Sequence, residues 1–543
     1  MLGRSLDATC PPIIRPVPTF PRFLLLSALL LCVALPWLNP ISSGPSVVVV
    51  SALVAWWGAA ALLALAGAGG VGRDAFFRAL ALGWALAALA SALMGLLQYF
   101  DAVPASVRWI NQGSAGQAFG NLRQRNQFAT LCSMGLALMW WWVQHGQALG
   151  AQAGRPWQAL ALRQRVARLG ALLGSALLAC ALLASGSRTG LLQLLLLCAL
   201  AWLWRGTQHR RGLWLAAWML LVYALAAYAL PLLAGVDGSV LERLRGQGEG
   251  CFSRVYLWRN VLYLIAQKPL WGWGTGELDF AHFMTLYPAA LAGPRFCDIL
   301  DNAHNLPLHL AVEHGLPLAL LACAALLAWL ARAAPWREAQ PPRQLAWAVL
   351  ALIGLHSLLE YPLWYGPFQM AALLSVWVLW AFRAGAPALG AAPAQSRPAR
   401  VLLLCGALAL APLCAVAHWS YWRMGQLYLP ADQRAPNYRN NTFSKVQGTW
   451  LFAEHVRFAE LSVTPVAPDN AAHVLALAQD LLHFSPEPMV IAKLMDAAVL
   501  LGQTETLRTY APRFAAAFAQ DWVRWCERNE GVDVSSPVDQ IKE

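Results

Sequence analysis

Long apolar stretches recur along the first 421 residues of this 543-residue chain, and they limit what it can fold into. A hydrocarbon core of roughly 30 Å needs about 20 apolar residues per helix, and a helix satisfies its own backbone hydrogen bonds there. Only 12% of the residues are charged, against about a quarter in a soluble domain. The sequence therefore predicts an all-α, polytopic membrane helical bundle. We expect about eleven spans, at residues 23–38, 46–69, 76–98, 127–144, 169–185, 190–204, 212–234, 304–330, 344–360, 367–382 and 401–420.

The arginines are unevenly distributed between the segments that join these spans. If the N-terminal segment, residues 1–22, is cytoplasmic, the segments on that side hold 18 arginines and only three acidic residues. This bias is the positive-inside pattern, so the net charge of +12 mainly reflects membrane insertion and does not indicate nucleic-acid binding. The first apolar stretch lacks a good small-x-small cleavage site, which favours a retained signal anchor.

The hydrophobic density falls after residue 421. Residues 422–543 contain four stretches with apolar residues at helical spacing, separated by Pro or Gly turns. Such short helices predict a soluble, helical, repeat-like domain, although no tetratricopeptide signature is visible. The chain thus divides into a membrane domain, residues 23–421, and a C-terminal domain outside the membrane.

The large outside loop, residues 235–303, holds Cys251 and Cys297. Seven of the other cysteines lie within expected spans, where cysteine behaves as a small apolar residue. A compartment outside the cytoplasm permits disulfides, so a bridge between Cys251 and Cys297 is possible, although the sequence does not test its geometry. The pattern at residues 251–267 also predicts a helix within this loop.

Five polar clusters fall on the outside face once the orientation is fixed. Ionisable groups at membrane depth are energetically expensive, so these clusters are candidates for function. They are "GNLRQRNQFA" at 120–129, "SGSRTG" at 185–190, "SRVYLWRN" at 253–260, "DNAHN" at 301–305 and "LHSLLEYPLWYG" at 355–366.

Three of these clusters contribute arginines, and a group of guanidinium ions grips phosphate oxygens well. Arg123 and Arg125 could instead extend to lipid headgroups, and Arg254 could be an ordinary interfacial arginine. Arg188 is harder to explain in that way, because it lies in a short polar island between two apolar spans on the side that disfavours arginine. The arginines therefore predict a phosphate-binding site.

His304 lies beside Asn302 and Asn305 at the mouth of an expected span. An imidazole there is poorly placed for apolar packing, whereas a neutral imidazole is basic near physiological pH and suits proton transfer. The helix that opens at this point also directs its N-terminal amide groups outward, which adds partial positive charge.

His356 and Glu360 are one helical turn apart near the same face, with Tyr361 and Tyr365 just beyond them. These residues could orient an acceptor or fix an arginine. An ion pair that holds the arginines together is the structural alternative.

The stretch "HLAVEH" at 309–314 resembles a zinc motif only superficially, since neither H-E-x-x-H nor H-x-x-E-H fits its spacing. His309 and Glu313 share a helix face, which favours a buried hydrogen-bonded pair. A divalent ion on acidic residues of the loop stays conceivable, but no dense acidic motif supports it. The acidic residues in question are Asp298, Asp301 and Glu277.

Taken together, these segments resemble the bacterial O-oligosaccharyltransferases of the PglL type, within the superfamily of O-antigen ligases and Wzy polymerases. The similarity covers nearly the whole chain in order. Its features are "RQRNQFA", "SGSRTG", "SRVYLWRNVLYLIAQKPLWGWGTG", "DNAHNLPLHLAVEHG", "HSLLEYPLWYGPF" and the helical C-terminal region.

The resemblance implies en bloc transfer of a preassembled oligosaccharide from undecaprenyl pyrophosphate to Ser or Thr hydroxyls of a periplasmic protein or pilin. It implies a multi-pass protein of the bacterial inner membrane whose active site faces the periplasm. It further implies no cofactor, no obligatory metal and no nucleic acid, with the lipid-linked glycan, the acceptor protein and membrane lipids as partners.

By motif, the resemblance implies that Arg188 and Arg254 hold the pyrophosphate and that His304 activates the acceptor hydroxyl. The sugar already carries a good leaving group, so we expect direct displacement with inversion and no carboxylate nucleophile. The residues expected to bind or shape the substrate are Arg123, Arg125, Asn126, Asn305, His356, Glu360, Tyr361 and Tyr365.

Three alternatives remain open from the sequence. Within the superfamily, the chain could be an O-antigen ligase that acts on lipid A core or an O-antigen polymerase. "HSLLEYP" and the long C-terminal domain favour the protein-modifying branch by resemblance alone. A transporter of lipid-linked glycans is a more distant alternative, for which we would expect charges near mid-membrane and broken helices in paired halves.

Overall fold

The structure is a computed structural model of the 543-residue chain. The residues that it describes are 22–41, 44–150, 157–205, 210–235, 251–387 and 395–529. Nearly all of the N-terminal segment, the first part of the large loop and the last residues of the C-terminal domain lie outside the described residues.

All regular secondary structure in these described ranges is helical. The first membrane region contains α1 (Arg22–Leu38), α2 (Val47–Gly69), α3 (Arg73–Tyr99), α4 (Arg125–Gly150), α5 (Trp157–Ala184), α6 (Arg188–Leu203) and α7 (Arg210–Ala234). The large loop contains α8 (Arg254–Gln267), α9 (Leu278–Met284) and α10 (Ala289–Ala292), and α11 (Leu306–His314) follows it. The second membrane region contains α12 (Leu316–Ala333), α13 (Pro341–Ser357), α14 (Gly366–Ala381) and α15 (Arg397–Gly425). The C-terminal region contains α16 (Thr442–Val446), α17 (Ala453–Val463), α18 (Ala471–Leu481), α19 (Pro488–Leu500), α20 (Thr504–Ala517) and α21 (Ala519–Arg528).

Six helices in the described part of the chain are long and apolar enough to cross a membrane, namely α2, α3, α5, α7, α12 and α15. Three shorter apolar helices, α1, α6 and α14, accompany them. The chain is therefore a helical membrane protein. Helices α4 and α13 fall outside both groups, yet both supply fully buried residues to the central core.

The core of the bundle depends on small residues that let the helices approach closely. On α3, Ala88 and Ala92 are fully buried, and a side chain added at Gly135 of α4 would come within 2.7 Å of Ala88. Larger residues such as Phe128 and Phe368 fill the spaces between the helices. This pattern is typical of helix packing in membranes, where close backbone approach supplies van der Waals contact.

The single span expected at 304–330 is wrong as a continuous helix, because the chain breaks at Gly315 into α11 and α12. Gly315 has φ +86°, and loop residues following α8 pass against the break. The Leu316 amide donates to the Pro269 carbonyl at 2.8 Å, and a Cβ at Gly315 would overlap the carbonyl of Leu270. A long-range backbone contact therefore separates the two helices.

The expected helix within the large loop is confirmed as α8, which packs into a small core of its own. Leu257 and Val261 of α8 are buried against Phe296 and other apolar residues of the loop. Cys251 and Cys297 form a disulfide, with their Cα atoms 5.4 Å apart. The bridge ties the segment before α8 to the segment that leads toward α11.

The C-terminal region packs on the large loop. Phe283 of α9 is buried in the core formed by the C-terminal helices, and Arg513 donates to the Met284 carbonyl at 2.8 Å. Helices α20 and α21 are separated by a single non-helical residue, Phe518. The proposed boundary at residue 421 falls inside the last two turns of α15.

The break at Gly315 is testable by substitution. Gly315→Ala should destabilise the protein by about 1–3 kcal/mol, because it places a Cβ at positive φ against a backbone carbonyl. The measurement is the thermal unfolding midpoint of the purified protein in detergent. Gly406→Ala is the control, since its Cβ would lie 3.5 Å from Leu63 in ordinary contact. Equal midpoints for the two variants would contradict the break.

Candidate functional site

Three helices begin with an arginine at the same end of the bundle. We call this end the loop face, defined by the starts of α4, α6, α12 and α14 and by the ends of α3, α5 and α13. Arg125, Arg188 and Arg254 are the first residues of α4, α6 and α8. A cation at a helix N-terminus opposes the macrodipole and is unfavourable by itself. Three such termini together favour a bound anion.

The sequence shows how two of these helices start. The Ser187 hydroxyl accepts from the Gly190 amide at 3.1 Å, and the Ser253 hydroxyl accepts from the Val255 amide at 3.3 Å. A serine N-cap followed directly by an arginine therefore sets the position of Arg188 and of Arg254.

The charged groups of these helix starts lie close enough to act on one another. The charges of Arg188, Arg254 and Glu360 all act on the Arg125 guanidinium. Arg125 and Arg188 are exposed, and the Arg254 side chain is 40% exposed. Arg123 is also exposed and donates to Asn111 at 2.8 Å, from a backbone with φ +62°. The loop face thus presents a positively charged surface.

Glu360 is the centre of the site. Its Oε1 accepts hydrogen bonds from Asn126 Nδ2 at 2.8 Å and from the Arg254 guanidinium, which also donates to the Leu359 carbonyl. Its Oε2 accepts from His304 Nδ1 at 2.7 Å. Burial of the Glu360 carboxyl opposes its ionisation, but the hydrogen bonds and charges of His304 and Arg254 outweigh that effect and lower its pKa to about 2. Glu360 is therefore a buried carboxylate with both oxygens engaged.

His304 is held in an uncommon backbone conformation. Its φ is +51°, and its amide donates to Asn302 Oδ1 at 2.9 Å. A non-glycine residue at positive φ is strained and is a candidate for function. Since Nδ1 donates to Glu360, the neutral ring carries its lone pair on Nε2, which faces away from the carboxylate. The ring meets Tyr361 edge to face at 5.0 Å and is partly exposed.

The other expected site residues lie around this centre in different ways. Asn305 caps α11 through the Leu308 amide and donates to the Leu358 carbonyl at 3.0 Å, so its side chain is engaged within the protein. Burial raises the pKa of Tyr361, so its phenol keeps its proton, and Tyr365 stacks on it at 6.2 Å.

His356 is placed away from the open surface. It is fully buried in α13, and its Nδ1 lies 2.9 Å from Thr130 Oγ1. Its backbone carbonyl accepts a hydrogen bond from the Glu360 amide at 2.8 Å, which connects it to the site.

The structure adds residues that the sequence pattern had not singled out. Ser187 donates to Asn126 Oδ1 at 2.6 Å, while Thr130 and Gln193 are hydrogen-bonded one helical turn deeper. The serine before Arg188 is a recognisable N-cap signal in the sequence. Its second role, in contact with Asn126, depends on tertiary structure.

His309 and Glu313 form the expected buried pair, with Nε2 and Oε2 3.5 Å apart. Glu313 also accepts from the Gly276 amide at 2.9 Å, so the pair fastens α11 to the loop. Among the residues that the structure describes, no three His, Cys, Asp or Glu side chains form a group able to hold a metal ion.

Three family models match the chain in order along its length. A protein glycosylation ligase model (PglL_A) matches residues 118–143, an O-antigen ligase model (Wzy_C) matches 173–323, and the C-terminal model of a virulence factor membrane-bound polymerase (Wzy_C_2) matches 344–530. The chain belongs to the PglL-type O-antigen ligase superfamily and is a glycosyl-transferring membrane protein. Searches of curated proteins and of solved structures found no match.

Each of the three matched ranges contributes to the cluster around Glu360. Asn126 comes from the first range, His304 from the second and Glu360 itself from the third. The site thus joins the three parts of the chain that the family models recognise.

The lowered pKa of Glu360 predicts a dependence of stability on pH. Its value of about 2 lies below the ordinary value of 4.5, so its contribution is present above pH 4.5 and is lost as the pH falls toward 2. Glu360→Gln removes this titration. The thermal unfolding midpoint should therefore fall further between pH 5 and pH 3 in the native protein than in Glu360→Gln. An equal or smaller fall in the native protein would show that the carboxylate is not held as described.

Proposed function

We propose that this protein transfers a preassembled oligosaccharide en bloc from undecaprenyl pyrophosphate to Ser or Thr hydroxyls of periplasmic proteins or pilin. In this proposal it crosses the bacterial inner membrane about eleven times, and the loop face is periplasmic. The observation that carries the proposal is the convergence of three arginine-headed helix N-termini on the Glu360 and His304 pair.

The arginines are suited to a pyrophosphate. A guanidinium has five N–H donors, and Arg254 uses one on Leu359 and one on Glu360, which leaves three for a ligand. Arg188 at the start of α6 adds a second guanidinium with the partial positive charge of its helix. Charge that grows on the departing pyrophosphate would be neutralised here.

His304 is suited to act as the base. The acceptor hydroxyl gives its proton to Nε2 as its oxygen bonds to the anomeric carbon, and the bond from that carbon to the pyrophosphate oxygen breaks. The electron pair leaves with undecaprenyl pyrophosphate. Glu360 fixes the ring and stabilises the imidazolium that forms, as a carboxylate does beside a catalytic histidine.

Displacement in one step, with inversion at the anomeric carbon, follows from the state of Glu360. Both of its oxygens accept hydrogen bonds from side chains, so it is a poor nucleophile. No metal or cofactor takes part in the proposed reaction. A glycosyl group trapped on Glu360 or Glu313 would overturn this mechanism.

The rest of the site and of the chain would supply specificity. Tyr361 and Tyr365 form an aromatic wall beside His304 that suits contact with a sugar or with the acceptor. Arg123 and Arg125 extend the positive surface over the first loop. The C-terminal region, docked on α9, is the part suited to receive a protein acceptor.

Ligation to lipid A core is the second candidate, because the O-antigen ligase model matches residues 173–323. Both reactions would use the same arginines and the same base. They differ only in the hydroxyl that accepts the glycan.

The test is expression in a bacterium that makes a lipid-linked glycan, with and without a pilin, followed by mass spectrometry. We expect glycan on Ser or Thr of protein. His304→Ala should slow transfer by about 10²- to 10⁴-fold, because the base is lost.

His314→Ala is the matched control for that substitution. His314 is the last residue of α11, the helix that follows His304, and it lies 3.8 Å from Glu313, outside the Glu360 cluster, so transfer should persist. Glycan on lipid A alone would overturn the protein acceptor, and unimpaired transfer by His304→Ala would overturn the base.

A further inference from the structure

Two layers of polar side chains, all but one of them buried, join α4, α6 and the end of α13 beneath the loop face. The outer layer contains Ser187, Asn126 and Glu360. The inner layer contains Gln193, Thr130 and His356. It lies one helical turn deeper, since its members on α4 and α13 are four residues away from their outer counterparts. Burial of polar side chains at this depth costs free energy unless they form hydrogen bonds, so we expect each layer to have a structural or functional role.

The inner layer ties the three helices together. Gln193 Nε2 donates to Thr130 Oγ1 at 2.9 Å and to the Leu352 carbonyl at 3.0 Å. Thr130 also bonds to the Asn126 carbonyl at 2.9 Å and to His356 Nδ1 at 2.9 Å. These side chains have no hydrogen bond to Arg254 or His304 among the described residues, so their role is to hold the helix register.

The hydrogen bonds of the outer layer run in one donor-to-acceptor direction, from α6 toward Glu360. The Gly190 amide donates to Ser187 Oγ, and the Ser187 hydroxyl donates to Asn126 Oδ1, which can only accept. Asn126 Nδ2 then donates to Glu360, which as a carboxylate can only accept. The last member is His304, whose Nδ1 donates to the other oxygen of Glu360 at 2.7 Å.

The orientation of the Asn126 amide matters most in this chain of bonds. An amide turned by 180° would point its oxygen at the carboxylate, which is repulsive. Because the Ser187 hydroxyl occupies the amide oxygen, it keeps the nitrogen turned toward Glu360.

We propose that Ser187 is a positioning residue that fixes the Asn126 amide toward Glu360 and thereby sets the charge that Glu360 presents to His304. This inference rests on the proposed function and names a residue that acts through two others. Ser187 touches neither the donor nor the acceptor in this account.

Loss of the Ser187 hydroxyl has a defined sign. Glu360 loses the steady donation of Asn126, so its negative charge is less neutralised and it stabilises the imidazolium form of His304 more strongly. His304 is then neutral, and able to accept a proton, only at higher pH. For Ser187→Ala, the acid limb of the pH profile of kcat/KM should move to higher pH by about half a unit. At pH values on the acid side of that limb, kcat/KM should fall about threefold.

The controls separate positioning from stability. Ser187→Thr keeps the hydroxyl and should restore the native profile. Ser396→Ala removes the matching serine N-cap of α15, whose hydroxyl accepts from the Ala399 amide at 3.4 Å, and should lower the unfolding midpoint without moving the limb. Thr130→Val weakens the inner layer and should behave like Ser396→Ala.

A readout that does not depend on turnover completes the test. The ¹⁵N signals of the His304 ring, assigned by their loss in His304→Ala, should change with pH at a higher midpoint in Ser187→Ala than in the native protein and Ser187→Thr. An unchanged midpoint and limb in Ser187→Ala would overturn the role of Ser187. Failure of the native protein to transfer glycan would overturn the proposed function instead, and the ¹⁵N midpoint would still decide the positioning role.

Discussion

The buried carboxylate of Glu360 is the group on which the site depends. It accepts hydrogen bonds from Asn126 at the start of α4, from Arg254 at the start of α8 and from His304 just before α11. An unpaired carboxylate at this depth would cost several kcal/mol. The hydrogen bonds from these three donors to Glu360 therefore hold the starts of α4 and α8 and the segment before α11 together. The same contacts retain His304 in its strained backbone conformation.

The arginines at the helix starts show a second constraint. Arg125, Arg188 and Arg254 each oppose the dipole of their own helix, and their charges act on one another across the loop face. Glu360 forms an ion pair with Arg254, and its charge also acts on Arg125. Such an arrangement is poorly explained by stability, and it becomes favourable when an anion with several oxygens lies between the helix termini.

Much of this architecture could be predicted from the sequence, because apolar length and arginine bias are local signals. The pattern located α8 and the residues that meet at Glu360, and it left the Cys251 to Cys297 bridge open. It missed the break at Gly315, because the cause is the backbone of a distant loop. The contact between His356 and Thr130 could not be predicted either, because it forms only once α4 and α13 are packed together.

The most direct test of this account is the pH dependence of kcat/KM for Glu360→Gln compared with the native protein. The substitution keeps the shape of the side chain and removes its charge, so the imidazolium form of His304 loses its stabilising anion. The account predicts a slower enzyme whose acid limb moves to lower pH by about one unit or more. An acid limb at the native position would contradict the claim that Glu360 controls the base.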